Sequence, residues 1–264
     1  MTPTGMGDIS CSLAERANWV WGLLAQTHPE FKRENFVHDD NPFALHEIVV
    51  NNCCRFVANP GNLVMDVGAN IGIFTALCAL NGASVVAYEP NAGAFRQLLK
   101  TISLNGIEKF VNPQRIALAS VAGLLPYWGM ADETDRNETR TWSTCTGTMV
   151  KVVAATTTEA EVMRKAEYID AISFADAVGV QEWDCVKIDI EGAEFELLLS
   201  ASDDTLQRIK FLTVELHNGY VDKILYDRFI AYLARLFALD GIPDGDARFA
   251  GEGRYISLYA TRKP

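Results

Sequence analysis

Nowhere in the 264 residues is there a run approaching the roughly 20 consecutive apolar side chains that a bilayer requires. The short apolar stretch from Trp19 to Ala25 has no basic segment before it and no small-residue cleavage site after it. A cytoplasmic chain with no membrane partner is therefore expected. Positive charge is also scarce: 23 Lys and Arg face 34 Asp and Glu, a formal charge of −11. A surface built for polyphosphate needs clustered cations, so no nucleic-acid partner is expected. The six cysteines, Cys11, Cys53, Cys54, Cys78, Cys145 and Cys185, form no CxxC pair, and the four histidines show no ligand spacing with them. No metal is predicted. Cys78 and Cys185 lie in apolar runs and are assigned to the core. The chain also lacks both a G-x-G-x-x-G turn and a phosphate-cradling P-loop.

What is present is an ordinary globular composition, 49% hydrophobic and 22% charged, long enough for one sizeable core. Residues 1–60 read as a helical cap. A capping box at Ser12 and Glu15 opens one helix carrying Ala14, Trp19, Leu23 and Leu24. Asn41-Pro42 opens a second with Leu45, Ile48, Val49 and Val57, stopped by Asn59-Pro60-Gly61. From residue 61 to 264 short apolar runs alternate with helical stretches, the signature of βαβ units. The runs are Leu63–Val67, Ser84–Tyr88, Gln114–Ala119, Cys185–Ile190, Phe211–Leu216 and Tyr255–Ala260. A doubly wound, mostly parallel α/β sheet follows, its central strands nearly continuous in apolar residues. The polar stretch at about 121–181, with a capping box from Thr158 to Glu161, interrupts the rhythm and reads as an insertion. It is either a lid or substrate wall, or a solvated loop with one short helix.

Two segments carry chemistry. Val64-Met65-Asp66-Val67-Gly68-Ala69-Asn70-Ile71-Gly72 is a strand entering a glycine turn that opens a helix. Gly68 and Gly72 let the backbone approach a ligand, and the free N–H groups of the helix start face it. Ala69-Asn70 stands where a dinucleotide fingerprint has its second glycine, so a pyrophosphate would fit poorly. Glu89, in Tyr88-Glu89-Pro90, follows the second strand where open α/β folds place an acid on a ribose.

Together with Lys187-Ile188-Asp189-Ile190-Glu191-Gly192-Ala193-Glu194, these segments resemble the FkbM-type S-adenosylmethionine-dependent methyltransferases. The resemblance covers about residues 60 to 217 and includes Val214-Glu215-Leu216-His217 as a later strand. It implies the class I methyltransferase fold, a Rossmann-like sheet, with S-adenosylmethionine as cofactor. It places Asp66, Gly68, Asn70 and Gly72 around the methionine moiety and Glu89 on the ribose. Thr101 stands where the family often has an asparagine.

Methyl transfer from a sulfonium is an in-line displacement governed by alignment, and a hydroxyl acceptor must also lose its proton. Asp189 and Glu191, after the fourth strand, and His217, after the fifth, are the candidates for the acceptor side, Asp189 also bordering the cofactor. Residues two apart on a continuing strand would point together, which would bring Asp189 and Glu191 into the cleft. His217 is equally a histidine satisfied locally at a strand end. Glu194 is read as a helix-terminus carboxylate and kept off the catalytic set. Asp189, Glu191 and Glu215 are the nearest approach to an ion site, but three strand-end acids are no metal signature. The resemblance implies O-methylation of a small sugar, lipid-like or polyketide-like acceptor. The alternatives are N-methylation of a small amine, a dinucleotide-dependent oxidoreductase, and a cofactor-binding protein without catalysis.

Overall fold

In the computed structural model the described residues are 18, 21–26, 29, 32–35, 48, 53–129, 147–148, 166–217, 223–241 and 256–264. The strands are β1 (Leu63–Val67), β2 (Ser84–Tyr88), β3 (Val111–Gln114), β4 (Ala117–Ala119), β5 (Gly123–Gly129), β6 (Gly147–Thr148), β7 (Ala166–Ser173), β8 (Trp183–Ile188), β9 (Ile209–Leu216), β10 (Phe237–Asp240) and β11 (Ile256–Arg262). The helices that pack on them are α1 (Ile73–Leu80), α2 (Ala92–Asn105), α3 (Phe174–Val178), α4 (Glu194–Ser200), α5 (Asp203–Leu206) and α6 (Lys223–Leu233).

Seven strands form one sheet in the order β10-β11-β9-β8-β1-β2-β3. The five strands from β9 to β3 run parallel, whereas β11 is antiparallel to both β9 and β10. The chain starts in the middle at β1, winds outward through α1 and α2 to β3, then returns to β8 on the other side of β1. The carboxyl ends of β1 and β8 therefore border the crevice where the winding reverses, the place where such sheets bind ligands.

Strand alternation divides the core between the two faces. Val64, Val85, Ala87 and Cys185 pack with Phe74, Leu98 and Ile102 of α1 and α2, joined by Trp21 and Leu24 from helical residues 21–26. Met65, Val67, Val186 and Ile188 point the other way, onto Phe174, Phe195, Tyr226 and Phe229. The helices begin and end where the sequence has the chemistry to do so. Asn91 caps α2 by accepting the Ala94 N–H at 2.8 Å, and Gly106 closes it at a φ of 63°. As assigned, Cys78 and Cys185 are fully buried.

Three expectations change. The run Gln114–Ala119 is two strands: β3 ends at Gln114, and Ala117–Ala119 leaves for a second sheet of order β4-β7-β5-β6. Pro113, which cannot donate to a ladder, is tolerated within β3 because β3 is the edge of the large sheet. Second, the stretch expected to be irregular contains β5 and β7, an antiparallel pair running from Gly123↔Ala171 to Trp128↔Ala166. Third, residues 53–62 are turn and coil rather than the end of a helix, and Val57 is exposed. The capping boxes at Ser12 and Thr158 and the helix start at Asn41 lie outside the described residues.

Candidate active site

The glycine turn is built by the backbone. The N–H groups of Gly68 and Ala69 both donate to the Tyr88 carbonyl, and the Asp189 N–H donates to the Val67 carbonyl at 3.0 Å. This binds the ends of β1, β2 and β8 into one rim. Gly68 has a φ of +76°, and a Cβ there would lie 1.8 Å from the Asp189 carbonyl oxygen, so no side chain can be accommodated. Asn70 also has positive φ, at 51°.

Gly68, Asn70, Glu89, Asp189 and Glu191 line one open cleft at this rim, with Tyr127 of β5 opposite. The sequence-predicted residues on its wall are thus brought together from three loops. Glu89 is buried, its Oε2 accepting the Asn70 N–H at 2.8 Å and its Oε1 the Asn91 N–H at 2.7 Å. Burial pushes its carboxyl up to about 7, against the lowering effect of those two N–H groups. The side-chain Oδ1 of Asn70 is buried at the cleft with no hydrogen-bond partner among the described residues.

Asp66 and Gly72 do not reach the cleft. Asp66 faces the α1 layer, wholly buried, where Oδ2 accepts the Thr75 hydroxyl at 2.6 Å and Oδ1 lies 3.4 Å from the Lys187 ammonium. Strand register sets Asp66 directly beside Lys187 across the β1–β8 ladder. Lys187 donates to the Gly68 carbonyl at 2.8 Å and lies 3.5 Å from Asp189, so one buried cation holds the turn and two carboxylates. Burial would lower its pKa, but Asp66 and Asp189 hold it well above the ordinary lysine value. Behind Gly72 the α2 side chains Leu98 and Thr101 fill the space a Cβ would need. Thr101 donates to the Ile71 carbonyl at 2.7 Å, so it braces the turn from the rear.

Asp189 and Glu191 do meet, though by a different route from the expected one. β8 stops at Ile188, and Glu191 turns back at a φ of 56°. A left-handed residue, and not strand alternation, aims its carboxylate. His217, just past β9, is buried with Nε2 3.3 Å from Glu191 Oε2 and 3.7 Å from Glu215 Oε1. Its Nδ1 lies 2.9 Å from Glu194 Oε1. Burial would lower the imidazolium's pKa, but Glu194, Asp189 and Glu191 raise it to about 9. Burial and the charge of Asp189 raise the carboxyls of Glu191 and Glu215 as well. Asp189, Glu191 and His217 present ligand atoms all within 4.8 Å of one another, a donor set that could hold a cation and that differs from the three acids singled out by spacing. Glu194, set aside as a helix-end charge, is entirely buried and touches the histidine. The signal available in the sequence was the pairing of two acids three residues apart with a histidine after the next strand.

Three comparisons bear on this arrangement. The model of the Methyltransferase FkbM domain matches residues 66–236, which is most of the chain. "Methyltransferase sdnD" of Sordaria araneosa is 25% identical over 191 residues, covering 66% of this chain and 73% of that protein. The solved structure "delta-N METTL16 MTase domain" is similar in fold with a TM-score of 0.50 and 11% identity, covering 96% of this chain and 98% of that one. The family match takes in the glycine turn, Glu89, and the segments carrying Asp189, Glu191 and His217, and the chain belongs to the FkbM methyltransferase family.

Proposed function

We propose that this chain methylates a hydroxyl group of a small molecule, with Glu89 and Asn70 holding the cofactor and His217 taking the hydroxyl proton. The methyltransferase activity and the use of S-adenosylmethionine follow from family membership; the acceptor and the roles of individual residues are our reading.

The cleft suits the cofactor on its own terms. Each Glu89 oxygen has spent one lone pair on a backbone N–H and keeps another for a ribose hydroxyl. The orphaned Asn70 Oδ1 needs a donor, which an amino or hydroxyl group supplies. When bound, the cofactor provides a methyl group on a cationic sulfur that becomes neutral as the methyl leaves. The protein's own work is then alignment and proton removal.

The observation that carries the hydroxyl reading is the contact of His217 Nε2 with Glu191, which lines the cleft, although His217 and Glu215 are not themselves part of that lining. An alcohol needs a nearby proton acceptor during transfer, and an imidazole among carboxylates is one whose conjugate acid is stabilised. Asp189 and Glu191, which line the cleft, would orient the hydroxyl by hydrogen bonds. The excess of 34 acidic over 23 basic residues disfavours a polyanionic acceptor, which supports a small one.

The test has two arms. Calorimetry with S-adenosylmethionine, its demethylated product and NAD should show binding of the first two only. Mass spectrometry should then find a methyl ether among methyl glycosides, long-chain alcohols and hydroxylated lactones incubated with the protein and cofactor. Methylation confined to amines in a matched panel would defeat the hydroxyl reading.

A further inference from the structure

Glu194 opens α4, where a carboxylate ordinarily sits in solvent and interacts with the helix terminus. Here it is 0% exposed. Taking a carboxylate out of water costs several kcal/mol unless its lone pairs are used. Glu194 uses them on three donors. The Ile190 and Gly192 N–H groups reach Oε1 at 3.0 Å each, and Gly192 also reaches Oε2 at 3.1 Å. The third donor is His217 Nδ1, 2.9 Å from Oε1.

The first two contacts fix the carboxylate by the backbone of the same loop that carries Asp189 and Glu191. The third fixes the histidine. Both ring nitrogens meet carboxylates, but Nδ1 makes the short contact, 2.9 Å to Glu194 against 3.3 Å from Nε2 to Glu191, so the single ring hydrogen of neutral His217 is assigned to Nδ1 and the lone pair to Nε2. Nε2 is the atom that faces Glu191 and Glu215. We propose that Glu194 is a positioning residue for methyl transfer: it holds His217 in the tautomer and orientation that turn Nε2 toward Glu191 on the cleft wall, and so toward the acceptor side. This rests on the reading of His217 as the proton acceptor given above. In the step itself the acceptor oxygen forms its bond to the methyl carbon, the carbon–sulfur bond breaks with its electron pair going to sulfur, and the hydroxyl proton passes to Nε2. The resulting imidazolium is stabilised through Nδ1–H by Glu194.

The charged groups around this ring are Glu194 from α4, Asp189 and Glu191 from the turn after β8, and Glu215 from β9, with Lys187 of β8 acting in turn on Glu215. Losing Glu194 removes the carboxylate hydrogen-bonded to Nδ1.

Nitrogen NMR of the full chain labelled at histidine, with the demethylated cofactor added, reads the tautomer without any acceptor. Above the imidazolium's pKa, His217 should carry its hydrogen on Nδ1. A hydrogen on Nε2 in the unaltered protein overturns the proposal at once, whatever the variants do. In Glu194→Gln the Nδ1–H form should give way to a mixture. On whichever hydroxylated probe is turned over, kcat should drop about 100-fold, with KM little changed. An unaltered tautomer and unaltered kcat in Glu194→Gln overturn the role of Glu194 alone. Full turnover by His217→Asn instead removes the proton acceptor, and both readings fail. Loss of turnover to EDTA, with the His217 signals broadened by trace Mn2+, would make Nε2 a metal ligand and likewise overturn the assignment.

Discussion

At the scale of single residues, the site depends on a few groups whose partners are backbone. Glu89 is the clearest. Replacing it with glutamine removes the charge while keeping the shape, and should weaken binding of the demethylated cofactor by about 1–3 kcal/mol, roughly tenfold to a hundredfold, in a calorimetric titration. On the proposed role of Glu89, ribose hydroxyls would stabilise the ionised carboxylate, so affinity in the unaltered protein should rise with pH through about 7, and this dependence should vanish in the variant. Gly68 is a harder constraint. Alanine there must place its Cβ against the Asp189 carbonyl in a left-handed backbone, so Gly68→Ala should cost about 2–4 kcal/mol in urea unfolding. Both residues were legible in the sequence because a glycine turn and a strand-end acid are local patterns. The burial of Glu194 was not legible, since its histidine partner is 23 residues away and only the pairing of β8 with β9 brings them together. Asp66 shows the reverse case. Sequence similarity put it at the cofactor, whereas its strand parity turns it to the opposite layer, where it acts on the cleft through Lys187.

At the scale of elements, local chemistry predicted β1, β2, β8 and β9 to within about two residues, whereas β3 shares only Gln114 with its expected run. It failed where a strand is defined by its neighbour. β10 has only four residues, of which Phe237 is the buried one, and it exists because β11 supplies its ladder. β5 and β7 pair across a long separation in sequence, and their apolar periodicity is interrupted by Pro126, Tyr168 and Asp170. Helix boundaries were better marked. Asn91 both caps α2 and sends its own N–H to Glu89, so the start of the helix and the ribose-position acid are one unit. Asn91→Ala should therefore lower stability by about 1 kcal/mol in chemical denaturation, with a parallel loss of cofactor affinity.

At the scale of the whole molecule, acidic groups crowd into a site at the middle of the sheet, and this sets how stability responds to pH. His217 is raised from 6.5 to about 9 and Glu89 from 4.5 to about 7, and Glu191 and Glu215 are raised too. A raised pKa means the folded chain holds the proton more tightly than the unfolded chain. The stabilisation is complete below the unfolded value and disappears as pH climbs through the folded one. Without cofactor, the melting temperature should decline steadily between about pH 5 and about pH 9, a trend that differential scanning calorimetry would reveal. A flat or rising profile over that range would contradict the arrangement of charges around His217.

The position of β11 has a consequence for biosynthesis. This last strand lies between β9 and β10 and fastens back to the start of the described core through the Tyr259 hydroxyl on the Cys53 carbonyl. While the polypeptide is still emerging from the ribosome, β9 has one naked flank and β10 has no partner at all. The parallel half can assemble first, but the sheet must wait for residue 262 to be synthesised before its far edge closes. Until then the nascent chain presents an open flank of β9 for which chaperones and neighbouring chains can compete.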